Sequence, residues 1–151
     1  RDRFKQRTVE KTYWAVVEGV VEPPSATWTD WLFKDERAHR MRVVSSSVAG
    51  AQEARLSYRC LKTVDNASTS LVEIDLHTGR KHQIRVQFSS RGWPVFGDRK
   101  YGGRQRFSTG IALHARQLLI DHPVTKQRLQ FVAPLPESWQ DFGLSAYCWQ
   151  E

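Results

Sequence analysis

LHTGRKHQIRVQFSSRGWPVFGDRKYG, residues 76–102, is where the chain stops reading as strand. Just before it, Thr69 to Leu76 alternates: Val72, Ile74 and Leu76 fall on one face, Glu73 and Asp75 on the other. That two-residue period is the mark of a strand. The pattern breaks at His77-Thr78-Gly79-Arg80. From Lys81 to Ser90, Ile84 and Phe88 stand four apart with Val86 between them, which predicts a short helix. Gly92 is placed to end it and Pro94 to prevent its resumption. Gly97-Asp98 and Gly102-Gly103 then mark a loop. Thr78-Gly79-Arg80 therefore carries the chain from strand into helix, a junction that uses a glycine for the turn and presents unpaired backbone N–H groups.

Outward from this stretch the chain reads mostly as strand. Thr8 to Val17 is rich in β-branched and aromatic residues and ends at Gly19, and Pro23-Pro24 is a breaker. Trp28 to Phe33 and Arg40 to Val44 are short candidate strands separated by the charged stretch Lys34-Asp35-Glu36-Arg37. Gln52 to Thr63 alternates moderately well, and Asp65-Asn66-Ala67-Ser68 is a turn. Ile111 to Asp121 and Arg128 to Val132 are further strands, and Glu137 to Leu144 a final short helix. The expected fold is α+β: one domain over residues 1–151, with a largely antiparallel mixed sheet and few short helices.

Composition fits that class. The chain has 151 residues, 40% hydrophobic and 26% charged, as ordinary globular domains do. It holds no apolar run of bilayer-spanning length, so no membrane is expected. Arg1-Asp2-Arg3-Phe4-Lys5 does not resemble a secretory signal. Cys60 and Cys148 lie far apart without zinc-ligand spacing, which predicts two ordinary thiols in a reducing cytoplasm. His77, His82 and His114 lack metal-site spacing, so no metal is expected.

The charge is unevenly placed. Arg80, Lys81, Arg85, Arg91, Arg99, Lys100, Arg104 and Arg106 share their segment with one acid, Asp98, and that segment accounts for the whole net charge of +7. Such a block is either a phosphate-binding surface or a solubilising face. Arg80 and Arg85, five apart, point in different directions around a helix. Arg85 is then either buried against a carboxylate or phosphate, or a surface arginine. Tyr13 is either a core aromatic or a stacking platform for a base.

The motifs decide between these readings. T-G-R-x-H-Q-I-R at Thr78 to Arg85, followed by G-x-P-x-x-G-D-x-x-Y-G at Gly92 to Gly102, resembles the RluA-type RNA pseudouridine synthases. Glu10 to Gly19 is similar to that family's K-x-Y-x-A-x-V-x-G strand, and Ala112-Leu113-His114-Ala115 and Phe131 to Pro136 extend the likeness to about Arg7–Pro136. Trp93 and Gln87 depart from it, standing where a histidine is common.

The resemblance implies an isomerase that converts uridine to pseudouridine in rRNA or tRNA, as a monomer and without cofactor or metal. It implies that Arg85 pairs with the catalytic aspartate, that Ile84 lines the base pocket, and that Tyr13 stacks on the base and serves proton transfer at C5. Arg80, Lys81, His82, Gln83, Arg104 and Arg106 are expected to contact the RNA. Asp98 is implied to be structural or to touch RNA.

The family's nucleophile lies in an H-R-L-D-x-x-T-S-G motif that does not occur in residues 1–151. It is expected just upstream of Arg1, the chain being the C-terminal greater part of the catalytic domain and inactive alone. Arg85 is then expected to face a cavity without its carboxylate. A catalytically inactive RNA-binding module derived from the same fold is the alternative reading.

Overall fold

A computed structural model describes residues 9–64, 68–108 and 110–144. Its centre is a seven-stranded sheet: β1 (Val9–Glu18), β2 (Ser25–Asp35), β3 (Arg40–Val44), β4 (Gln52–Val64), β5 (Thr69–Leu76), β6 (Leu113–Asp121) and β7 (Arg128–Val132). The spatial order is β3-β2-β4-β5-β1-β6-β7, and every neighbouring pair runs antiparallel. One helix, α1 (Gln83–Ser90), lies between β5 and β6 in the chain, with single 3-10 turns at Arg99–Tyr101 and Glu137–Phe142.

β5 follows the predicted bounds, but its first four residues, Thr69 to Val72, are all buried. The reason is its place between β4 and β1, where both faces of the sheet are covered. On one face Val72, Ile74 and Leu76 join Ala15, Val17, Leu56, Tyr58 and Trp28 beneath Ile84 and Phe88 of α1. On the other, Leu71, Trp14 and Val16 lie beneath Leu135, Trp139, Phe142 and Leu144 from the C-terminal segment. Each such fully buried side chain contributes about 1.5–3 kcal/mol relative to its exposed state.

The charged stretch Lys34 to Arg37 turns out to be the end of β2 and the tip of a β2–β3 hairpin. The Asp35 carboxylate accepts hydrogen bonds from the N–H groups of Arg37 and Ala38, and His39 turns the chain at φ 53°. β2 begins earlier than predicted because Ser25 to Thr27 pair with Arg59 to Ser57 of β4. Of the predicted turn at Asp65-Asn66-Ala67-Ser68, Ser68 is in a turn and the first three residues lie outside the described residues. The final short helix is a 3-10 turn closed by Gly143 at φ 71°.

Two local features position the rest. Between β1 and β6, Thr12 faces Gln117 and Tyr13 faces Ala115, so Arg116 is the extra residue of a β-bulge. Its guanidinium lies over the Trp14 ring, 4.6 Å from the centroid, and it donates to the Ala133 carbonyl. After α1 the chain doubles back beside β1: Val95 bridges Val17, and Phe96 N–H donates to the Val16 carbonyl. That return brings Gly97 and Asp98 to the helix.

Gly97 (φ 87°) is the tight point of this loop. A Cβ there would run into the carbonyl of Gly110 and stand 2.8 Å from the Phe107 Cβ. Gly97→Ala is expected to lower stability by about 2–4 kcal/mol, from left-handed backbone strain and backbone overlap together. Denaturant unfolding at constant m-value measures it.

Candidate functional site

The turn into α1 is built around Gln83, which is 2% exposed. Its Oε1 accepts from Thr78 Oγ1 (2.8 Å) and from the Arg80 N–H (2.9 Å), while its Nε2 donates to the Arg55 carbonyl (3.1 Å). Thr78 Oγ1 in turn accepts from the Arg55 N–H. The helix therefore starts at Gln83, two residues later than predicted, after His82 in a left-handed conformation with φ 55°. Gln83 is bound up in the turn itself, a role different from the RNA contact expected of it. Arg80 is half-buried, with its Nε donating to the Glu53 carbonyl, and Lys81 beside it is exposed.

Arg85 differs most from expectation. It does not face a cavity without a carboxylate. Its Nε donates to Asp98 Oδ2 at 2.8 Å and its Nη2 to Asp98 Oδ1 at 2.9 Å, a two-point pair with the Arg85 side chain 19% and the Asp98 side chain 1% exposed. The physical reason is the loop return described above, which sets Asp98 next to the helix. Asp98 also accepts from the N–H of Tyr101, so it closes the 3-10 turn as well. The carboxylate holds the guanidinium proton more firmly than usual, burial opposing it. Among the described residues Nη1 has no acceptor, so it can take a second one.

Tyr101 completes the cluster. It is 1% exposed, and both Arg85 and Arg40 hold their guanidinium carbons over its ring, at 5.0 and 4.8 Å from the centroid. Its hydroxyl accepts from the Met41 N–H at 3.0 Å and lies 2.8 Å from His82 Nδ1. With Met41 already donating, the phenol proton is free to go to a neutral His82 ring. Partial burial, then Arg85, Lys100 and Lys81, push the His82 pKa below its ordinary 6.5. The G-D-x-x-Y-G motif thus braces Arg85: its Asp supplies the ion pair and its Tyr the platform. Only the three-residue spacing of Asp98 and Tyr101 on one loop signals this in the sequence.

Tyr13 and Ile84 belong to the same apolar layer: Ile84 is 4% exposed in the core beneath α1, and the half-buried Tyr13 packs against that core. The Tyr13 hydroxyl has no hydrogen-bond partner among the described residues. Tyr13 lines an opening of about 340 Å³ with Lys11, Arg116, Gln117, Phe131 and Val132. No hydrogen bond or ring contact joins it to Arg85, whose side chain leaves α1 toward Asp98. Arg104 and Arg106 are exposed, and the backbone N–H groups of Arg104 and Gln105 are fixed by the Glu18 carboxylate.

Cys60 has its thiol pKa pushed up by burial, and Cys148 lies outside the described residues. Among the described residues no group of three or more His, Cys, Asp or Glu is placed to hold a metal ion, and no helix is long and apolar enough to cross a membrane.

This architecture has known counterparts. The chain belongs to the RNA pseudouridylate synthase family, whose profile matches residues 1–90. It is 34% identical over 134 residues to the uncharacterized RNA pseudouridine synthase YhcT of Bacillus subtilis, covering 89% of this chain and 43% of that protein. It is 33% identical over 165 residues to the tRNA pseudouridine synthase C of Vibrio cholerae, covering 98% of this chain and 66% of that protein. The solved structure of human RNA Pseudouridylate Synthase Domain Containing 1 superimposes with a TM-score of 0.74 at 29% identity, over 89% of this chain and 58% of the human one. The chain therefore spans less than half of the Bacillus relative and just under two thirds of the Vibrio one.

Two outcomes follow for the brace. Asp98→Ala leaves a largely buried guanidinium unpaired and is expected to cost about 3–5 kcal/mol. Adding Arg85→Met should recover a large part of that stability, a coupling that a double-mutant cycle reads directly. His82 binds its proton less readily folded than unfolded, so unfolding takes up protons in the window below pH 6.5 and stability falls as the pH drops through it. His82→Gln should flatten that part of the stability–pH curve.

Proposed function

We propose that the intact protein is an RNA pseudouridine synthase, acting on a uridine of tRNA or rRNA in the cytoplasm as a monomer. Family membership supports the reaction class. The observation within the structure that carries the reading is the brace on Arg85. A guanidinium fixed by Asp98 and Tyr101, with Nη1 still available, is prepared to hold a second carboxylate in one orientation.

In this reading that second carboxylate is the nucleophilic aspartate, supplied by sequence outside residues 1–151. It assists cleavage of the N1–C1′ glycosidic bond, the base turns, C5 bonds to C1′ and the C5 proton is lost. Tyr13 and Ile84 offer the detached uracil an aromatic face and an apolar wall. The unpartnered Tyr13 hydroxyl is the group available to the C5 proton. The exposed Lys81, Arg104 and Arg106 and the half-buried Arg80 contact the RNA backbone, while Gln83 positions the turn that carries Arg80 and Lys81. No cofactor or metal enters this scheme.

One observation favours a second reading. Arg85 is already neutralised by Asp98, so this guanidinium has its countercharge without the aspartate, as a module that binds RNA but does not isomerise it would need. The two separate by assay of pseudouridine formation on total tRNA and rRNA, with the full-length gene product beside residues 1–151 alone. Turnover is expected from the former and none from the latter. Inactivity of the full-length product would favour the binding module, and turnover by residues 1–151 would show that an acid within them suffices. In the full-length protein, Tyr13→Phe should reduce turnover by about 10²–10⁴-fold while changing RNA affinity by less than about threefold. Equal reductions would make Tyr13 merely structural.

A further inference from the structure

We propose that the β2–β3 hairpin is a second contact for the RNA backbone, continuous with the basic segment of residues 80–106 and joined to it by Tyr101. The proposal rests on the reading of the protein as RNA-binding and adds a surface that the motifs do not mark.

The hairpin is held in place. Met41 is buried with Leu32, Ala54, Val86 and Tyr101, its N–H donates to the Tyr101 hydroxyl, and Arg40 lies over the same ring that carries Arg85. The residue that braces the site thus also fixes the hairpin, although Met41 and Tyr101 are 60 positions apart.

The charges at this junction are unbalanced. Within the hairpin Lys34 lies 3.9 Å from Glu36 and Arg42 3.2 Å from Asp35. Arg37 and Arg40 have no carboxylate partner among the described residues, and the same holds for Lys81, Arg99 and Lys100. Asp98, the acid of this segment, is taken up by Arg85. Lys81, Lys100 and Arg85 all lie close enough to His82 to oppose its protonation. Like charges gathered in this way repel one another in the free protein and gain most from a polyanion, whose condensed counterions they release. Arginine beside lysine, all donors and no acceptors, suits phosphate oxygens in particular. The arrangement extends the backbone-binding track from the helix to the edge of the sheet.

The test measures binding of the full-length protein to total tRNA across a series of KCl concentrations. The patch variant is Arg37→Gln/Lys100→Gln. The control, Lys126→Gln/Arg59→Gln, removes the same charge from the β6–β7 turn and from the Arg59–Glu73 pair. The patch variant should bind about tenfold more weakly near 0.15 M salt, with a log Kd–log salt slope flatter by about 0.7–0.9 for each phosphate no longer neutralised. The control should stay within about twofold and keep its slope. Arg40→Lys, which keeps the charge, should retain the slope. Matching unfolding midpoints exclude a folding defect. A patch variant that binds like the control overturns the proposal, as does weaker binding with an unchanged slope. Unaltered protein that binds no RNA overturns the functional reading as well, whereas uridine isomerisation with a silent hairpin overturns this inference alone.

Discussion

A carboxylate with almost none of its surface in water has to be paired, and Asp98 is paired through two short hydrogen bonds to Arg85. The pair links the first turn of the only α-helix among the described residues to the loop that follows it. Gly97 has to take a left-handed conformation so that the carboxylate arrives at the helix, and the chain has to return along β1 to bring Gly97 there. Tyr101, three residues on, is then set under the guanidinium. Burial of such a pair is weak evidence for stability in itself. Its effect is geometric: it removes the freedom of a long side chain and holds the guanidinium over the Tyr101 ring.

How far this was legible in the sequence depended on the distance each interaction spans. β3, β5 and β7 could be read to the residue because strand-forming side chains and the turn residues that flank them are local signals. The helix start could not, because a buried side chain three residues along sets it: Gln83 reaches back to the Arg80 N–H. Arg85 and Asp98 both read as charges in one basic block, and nothing in a linear pattern says that they meet. The packing of Arg40 and Met41 on Tyr101 joins elements that are distant along the chain. Asp98 as a structural acid was legible through the motif, whereas its partner was not.

The residues expected at the site fall into different physical settings. Gln83 is inside the scaffold, Arg80 is half-buried, Lys81 is on the surface, and Ile84 faces the core. One short run of the motif therefore supplies a buried hydrogen-bond hub, an apolar wall, a half-buried arginine and a solvent-facing lysine. Fold alone does not assign chemistry. Here, though, the elements that make the fold and those that present the charges are largely the same side chains.

The bulge at Arg116 has its own consequence. Because β6 carries one residue more than β1 opposite it, the strand is written in two frames, and its inward positions change parity where Arg116 turns over Trp14. The number of residues between 113 and 121 is therefore itself a structural requirement. Dropping one residue there would turn half the strand inside out, taking Tyr13's neighbours with it. The hairpin loop from His122 to Gln127, in contrast, can grow or shrink at little entropic cost. Natural variation in length along this chain should gather in that loop and avoid the strand beside it.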